Sequence, residues 1–206
     1  MKEYLTILEN TESEFIINRS RFITELCRVR NSEEAKEFVL NVRKKYGDAT
    51  HNCYAYISDK LGLEMKFSDD GEPQGTAGQP MLEVIRKKNL KETAVVVTRY
   101  FGGIKLGAGG LVSAYTESVV RCIDKAVIVR MVLCDCFALR LSYQQYANIE
   151  KFVRESCIID KTEYNNDIEL YISMPENSNG VVDRLNDLTS GQIEIIQYAK
   201  EYKSWK

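Results

Sequence analysis

The sequence predicts an α+β protein built as two domains, and three observations carry that prediction. The 206 residues are 44% apolar and 28% charged, ordinary for a globular chain with a real core. Charge and glycine shift near residue 130: the first 130 residues carry 20 basic and 18 acidic side chains and ten glycines. The remainder carries 8 basic and 12 acidic side chains and two glycines. After that point the pattern reads β-α-β-β-α-β, the split βαβ or ferredoxin-like order. The expected domains are 1–133 and 137–206, with the boundary at Leu133–Phe137.

The N-terminal elements follow from local pattern. Phe15–Ile17 and Arg21–Leu26 form a strand pair about Asn18-Arg19-Ser20. Asn31-Ser32-Glu33-Glu34 opens a helix to about Tyr46, with Ala35, Phe38, Val39 and Val42 on one face and Gly47 as its stop. Cys53–Ile57 and Glu64–Ser68 are strands, and Pro80 sits in the first turn of a helix to about Lys88. Ala94–Tyr100 is a buried strand with three consecutive valines. A glycine-rich loop, Gly102–Gly110, then leads into a helix from about Leu111 to Ala126. In the second half, Phe137–Ser142 is a strand and Tyr143–Cys157 a helix. Ile158–Tyr164 and Asp167–Met174 make a hairpin about Asn165-Asn166, residue types that tolerate positive φ. Glu176–Ser190 is a helix and Gln192–Tyr198 the closing strand.

Composition excludes several functions. The net charge of −2 argues against a protein that coats nucleic acid by bulk charge, leaving room for a local basic patch. No apolar run approaches the length of about 18 residues that a membrane helix needs, so no membrane partner is expected. The first residues, MKEYLTILENTESEF, carry four glutamates and no apolar block of a signal peptide. Six cysteines are too sparse for a disulfide scaffold, and Cys27, Cys53, Cys122 and Cys157 each lie among apolar residues as reduced thiols. Cys134 and Cys136, with His51 as the only histidine, fall short of a tetrahedral zinc set. The expected compartment is the cytoplasm, with no metal and no cofactor.

Three segments carry more than core-building. In the third, a strand ending in Arg99-Tyr100-Phe101 runs into Gly102, Gly103, Gly107, Gly109 and Gly110 before a helix begins, with Lys105 alongside. Glycines admit close backbone approach and a helix N-terminus favours an anion, so a phosphate could bind. Equally, the glycines could serve only a tight strand-to-helix turn. Neither the P-loop nor the G-x-G-x-x-G template fits. The second segment places Asp69, Asp70 and Glu72 beside Gly71 and Pro73, carboxylates that could bind a ligand or cap turn amides. The first holds His51, a ligand candidate or a hydrogen-bonded structural histidine. Ser68 and Ser113 lack the nucleophile-elbow context, so no catalytic residues are assigned. Arg99 has two fates, pairing with a carboxylate of the Asp69–Glu72 loop or facing a phosphate; the pairing is favoured because the motifs hold three carboxylates and few other cations.

SDDGEPQGTAGQP followed by VVVTRYFGGIKLGAGGLVSAY, with NRSRFI and HNCYAY, resembles the YigZ/IMPACT family across the whole chain. The resemblance implies an N-terminal domain like the second domain of ribosomal protein S5, a βαβ fold. It also implies a C-terminal domain like a ferredoxin-like domain of an elongation factor. The family's eukaryotic relative regulates translation through a protein partner; its partner-binding N-terminal domain has no counterpart here, so that partner is not carried over. What the resemblance implies is a non-enzymatic, cytoplasmic translation regulator binding RNA or the ribosome. The competing readings are a protein acting on a phosphorylated small molecule or nucleotide, and a protein-interaction module using the acidic C-terminal domain.

Overall fold

A computed structural model describes residues 3–205. It divides the chain between Val129 and Arg130. That is ahead of the boundary expected at Leu133–Phe137, because those residues lie inside one fourteen-residue strand.

The first unit begins with β1 (Glu3–Ile7), an element the pattern did not disclose. β2 (Thr11–Ile17) and β3 (Ser20–Arg28) form the expected hairpin, with Asn18 and Arg19 both at positive φ, 45° and 63°. α1 (Ser32–Lys45) is capped by Asn31, whose side chain accepts from the Glu34 amide. β4 (His51–Ile57), β5 (Met65–Ser68), α2 (Gly78–Lys87), β6 (Thr93–Tyr100) and α3 (Gly107–Lys125) follow. β2 to β6 form one sheet in the order β2-β3-β6-β4-β5, with every neighbouring pair antiparallel. β3 and β4 flank β6 and are therefore parallel to each other, joined by α1 in a βαβ crossover.

Both faces of this sheet are covered. Val95 and Val97 point with Phe22, Cys53 and Ala55 toward Met81 and Ile85 of α2 and Leu111, Tyr115 and Val119 of α3. Ala94 and Val96 point the other way, toward Ala35, Val39 and Val42 of α1. A strand covered on both sides has no polar face to alternate, hence its run of valines.

The second unit consists of β7 (Ile128–Leu141), whose first two residues lie before the division, α4 (Tyr143–Ser156), β8 (Ile158–Tyr164), β9 (Ile168–Pro175), α5 (Asn179–Leu188) and β10 (Glu194–Trp205). Its strand order β10-β7-β9-β8 is the ferredoxin-like arrangement. Leu139, Leu141, Ile149, Val153, Leu170, Ile172 and Leu185 fill the core beneath α4 and α5. Three local expectations change. Asn165 and Asn166 are not at positive φ, and the Asn165 amide donates to the Asp167 carbonyl in a three-residue connection. α5 begins at Asn179 rather than Glu176, because Asn177 takes φ 68° and interrupts the backbone. β10 continues to Trp205, since a long antiparallel partner, β7, is available throughout.

Candidate functional site

The sheet register assembles the site. Phe22 of β3 and His51 of β4 lie directly opposite Arg99 of β6, so the three form a row across the face that α2 and α3 cover. Arg99 shares that face with Val97 and Val95, two and four residues back along the strand. Arg99 is 4% exposed, and its guanidinium sits over the rings of Phe22 and Phe101, 5.5 Å from each centroid.

A carboxylate answers that buried charge. The Asp69–Gly78 turn folds over the row and lowers Glu72 onto it, where Arg99 Nη1 donates to Glu72 Oε1 at 2.7 Å. The Tyr115 hydroxyl donates to the same oxygen at 2.8 Å, and Arg99 Nη2 donates to Ser20 Oγ at 3.3 Å. His51 Nδ1 lies 2.9 Å from the Asp70 carbonyl oxygen, which only accepts, so Nδ1 carries a proton. His51 Nε2 then faces Glu72 Oε2 at 3.8 Å. Behind them the Cys53 thiol donates to the Asp69 carbonyl at 2.9 Å and lies 3.3 Å from the Tyr115 hydroxyl. Burial pushes both the Cys53 thiol and the Tyr115 phenol well above their ordinary values, and the Glu72 charge adds to each.

The other carboxylates of the turn hold it in shape. Asp69 accepts from the amides of Gly75, Ala77 and Gly78 at 2.8, 3.0 and 2.8 Å, capping the start of α2. Asp70 takes Arg43 of α1 at 2.5 Å and the Asn52 amide at 2.7 Å. Gly71 is required: its φ is 86°, and a Cβ there would lie 3.4 Å from His51 Nδ1.

These residues border a cleft of about 390 Å³. Its walls are Thr50, His51, Glu72, Pro73, Arg99 and Phe101 on one side, and on the other Lys105 with Gly107, Ala108 and Leu111 at the start of α3. Of the candidates named from sequence, the cleft gathers His51, Glu72, Arg99, Phe101, Lys105 and Gly107. Asp69 and Asp70 are turned to the turn's own amides and to α1. The Tyr100 side chain, on the opposite sheet face from Arg99, donates to Asp48 at 2.8 Å. Gly102 packs on the Arg19 backbone, and its amide donates to Ser20 Oγ at 3.2 Å. Gly103, Gly109 and Gly110 do not line the cleft. Gly109 and Gly110 belong to α3, which starts at Gly107 rather than about Leu111. Tyr115, Ser20 and Thr50 also serve the site, and the sequence does not mark them for it, since their hydroxyls carry no spacing signal of their own.

A groove of about 560 Å³ between α2 and α3, floored by Val84, Val112 and Val120, holds none of the candidate cleft residues. Among the described residues no helix is long and apolar enough to cross a membrane. No three His, Cys, Asp or Glu side chains among them are grouped to hold a metal ion.

Fold and cleft define a class: a sheet domain organised round a buried arginine–glutamate pair, followed by a ferredoxin-like domain. Residues 18–123, which contain every wall of the cleft, match the Impact N-terminal domain. The chain is 41% identical over 198 residues to the IMPACT family member YvyE of Bacillus subtilis, covering 95% of this chain and 91% of that one. It is 35% identical over 184 residues to the IMPACT family member YigZ of Escherichia coli, covering 87% and 90%. A crystal structure described as that of a hypothetical protein superposes with a TM-score of 0.64 at 32% identity, over 98% of this chain and all of the other. The chain belongs to the IMPACT family.

Proposed function

We propose that this chain is a non-enzymatic cytoplasmic factor acting in translation, and that the cleft at the start of α3 engages RNA. The observation that carries the reading is the pairing of Phe101 with Lys105 at the cleft mouth. Phe101 is 45% exposed, a large ring left in solvent where a base can stack. Lys105 is exposed and forms no ion pair among the described residues, so its charge is available to a phosphate. Arg99 does not supply that charge, because Glu72 neutralises it. A local contact of this kind is compatible with a net charge of −2. The non-enzymatic reading is supported by the burial of Cys53 and Tyr115 behind the cleft, which raises both groups and keeps them from solvent as nucleophiles. The role in translation rests on the family resemblance.

The test is fluorescence anisotropy of a labelled single-stranded RNA with the full chain. Affinity should fall as salt is raised from about 50 to about 200 mM, with a shallow slope reflecting one or two phosphate contacts. Lys105→Ala should flatten that slope, and Phe101→Ala should weaken binding about tenfold while leaving it intact. Absent or salt-independent binding defeats the proposal. The 390 Å³ volume also suits a mononucleotide, which favours a phosphorylated small molecule as the second reading. Calorimetry with nucleoside monophosphates separates the two, since only that reading expects saturation without RNA.

A further inference from the structure

The far edge of the N-terminal sheet carries a surface that the cleft does not use. β5 is the terminal strand, paired to β4 on one side only. Leu63, two residues before its start, lies in the same phase as Met65 and Phe67, which alternate along it, so extended geometry puts all three on one face. They are 75%, 43% and 43% exposed, and Leu61, just before them, is 57% exposed. Four large apolar side chains in solvent beside an unpaired strand edge form a docking surface rather than scattered exposure.

The occupant follows from the strand's own pattern. The Ser58 amide donates to the Glu64 carbonyl at 3.0 Å, which turns the backbone groups of the even-numbered residues toward β4. In an antiparallel ladder those of Leu63, Met65 and Phe67 then point out to the open edge. A second β5 related by a two-fold axis can add in three central registers. Centred on residue 64 it sets Glu64 against Glu64; centred on residue 66 it sets Lys66 against Lys66. Centred on Met65 it sets Glu64 opposite Lys66 twice, Leu63 opposite Phe67 twice, and Met65 opposite itself. This last register uses the outward backbone groups as hydrogen-bonded pairs, stacks apolar residues on one face and pairs opposite charges on the other. The Glu64 carboxylate is already held on the charged face by the hydroxyls of Ser32 and Ser58, at 3.1 and 3.3 Å. Lys66 is exposed and has no ion-pair partner among the described residues.

We propose that β5 is the interface of a homodimer, in which two copies join edge to edge about Met65 into one continuous sheet. The contact is isologous, as a two-fold axis requires, and short, so the dimer forms in the micromolar range.

Analytical ultracentrifugation of the full chain tests this. The wild type should shift from monomer to dimer between about 1 and about 100 μM. Lys66→Glu sets Glu64 against a second carboxylate and should raise the dissociation constant about tenfold. Adding Glu64→Lys restores opposite charges and should bring the constant back to within about threefold of wild type. Met65→Cys places two thiols at a hydrogen-bonded pair, a spacing of about 5.5 Å between Cα atoms that a disulfide spans. Mild oxidation should therefore link that variant into dimers. Circular dichroism confirms that each variant is folded. A wild type monomeric throughout, a dimer indifferent to Lys66→Glu, or a double variant that stays dissociated would each overturn the interface.

Discussion

Replacing Arg99 by methionine is the most informative perturbation of this molecule. The substitution keeps the aliphatic stem that packs against Phe22 and removes a guanidinium bonded to Glu72 and Ser20. The partner side chain is only 3% exposed, so Glu72 would be left as a buried carboxylate with the Tyr115 hydroxyl as its one remaining donor within hydrogen-bond distance. Breaking a buried ion pair from one side costs about 3–5 kcal/mol. Tyr115 offsets part of that, placing the expected loss near 3 kcal/mol, the lower end of that range. For a chain of this size, 1 kcal/mol corresponds to about 2–4 °C, so melting should fall by about 10 °C. Adding Glu72→Leu removes the stranded charge and should recover at least half of the loss, because the cost lies in the orphaned carboxylate. Thermal unfolding followed by circular dichroism measures both variants. If Arg99→Met melts within a degree or two of wild type, the pair does not hold the turn. If the double variant is worse than the single one, the cost was not electrostatic.

Three further outcomes follow from other contacts. Asp69→Ala strips three amides of their acceptor at the start of α2 and should cost about 2 kcal/mol, read as a lower urea midpoint at unchanged slope. Gly102→Ala would put a Cβ 2.0 Å from the Arg19 carbonyl carbon; the forced shift should destabilise by about 1–3 kcal/mol and raise hydrogen exchange at Ser20. Burial pushes the Cys157 and Cys134 thiols up to about 11. An unfolded thiol titrates near about 8.5, so their contribution is intact below that pH and lost as pH rises toward about 11. The urea midpoint should drop between about pH 8 and about pH 10.5, and Cys157→Ala should show a smaller drop.

Much of this architecture is legible in the residues, and the omissions have physical causes. The Asn31 cap, the two-sided burial of Val95–Val97 and the β-α-β-β-α-β rhythm all act locally, through spacing that a reader can count. The start of α3 is not local: Gly107, Gly109 and Gly110 oppose helix formation, and Leu111, Ala114 and Tyr115 packing against the sheet overrides them. β7 escapes for a related reason: its buried positions change parity between Met131 and Cys134, so no single alternation runs through the segment that its partners β9 and β10 hold extended. At the cleft, the proximity of Arg99 to the acidic turn is legible from charge balance, and Glu72 is the carboxylate that fills the role. The division of labour among Asp69, Asp70 and Glu72 is not legible, because it depends on which oxygen meets which amide after the turn has closed.

The contact between Gly102 and the β2–β3 turn has a consequence for how such a chain can change over time. Ser20 and Gly102 lie 82 positions apart, yet a single hydroxyl serves both the Gly102 amide and Arg99. The space beside Gly102 is occupied by the backbone of Arg19, a residue held in a left-handed conformation. A side chain at 102 would demand a redrawn hairpin, and a redrawn hairpin would withdraw the hydroxyl that steadies the guanidinium. The two segments thus behave as one inherited part, free to vary together and poorly able to vary alone.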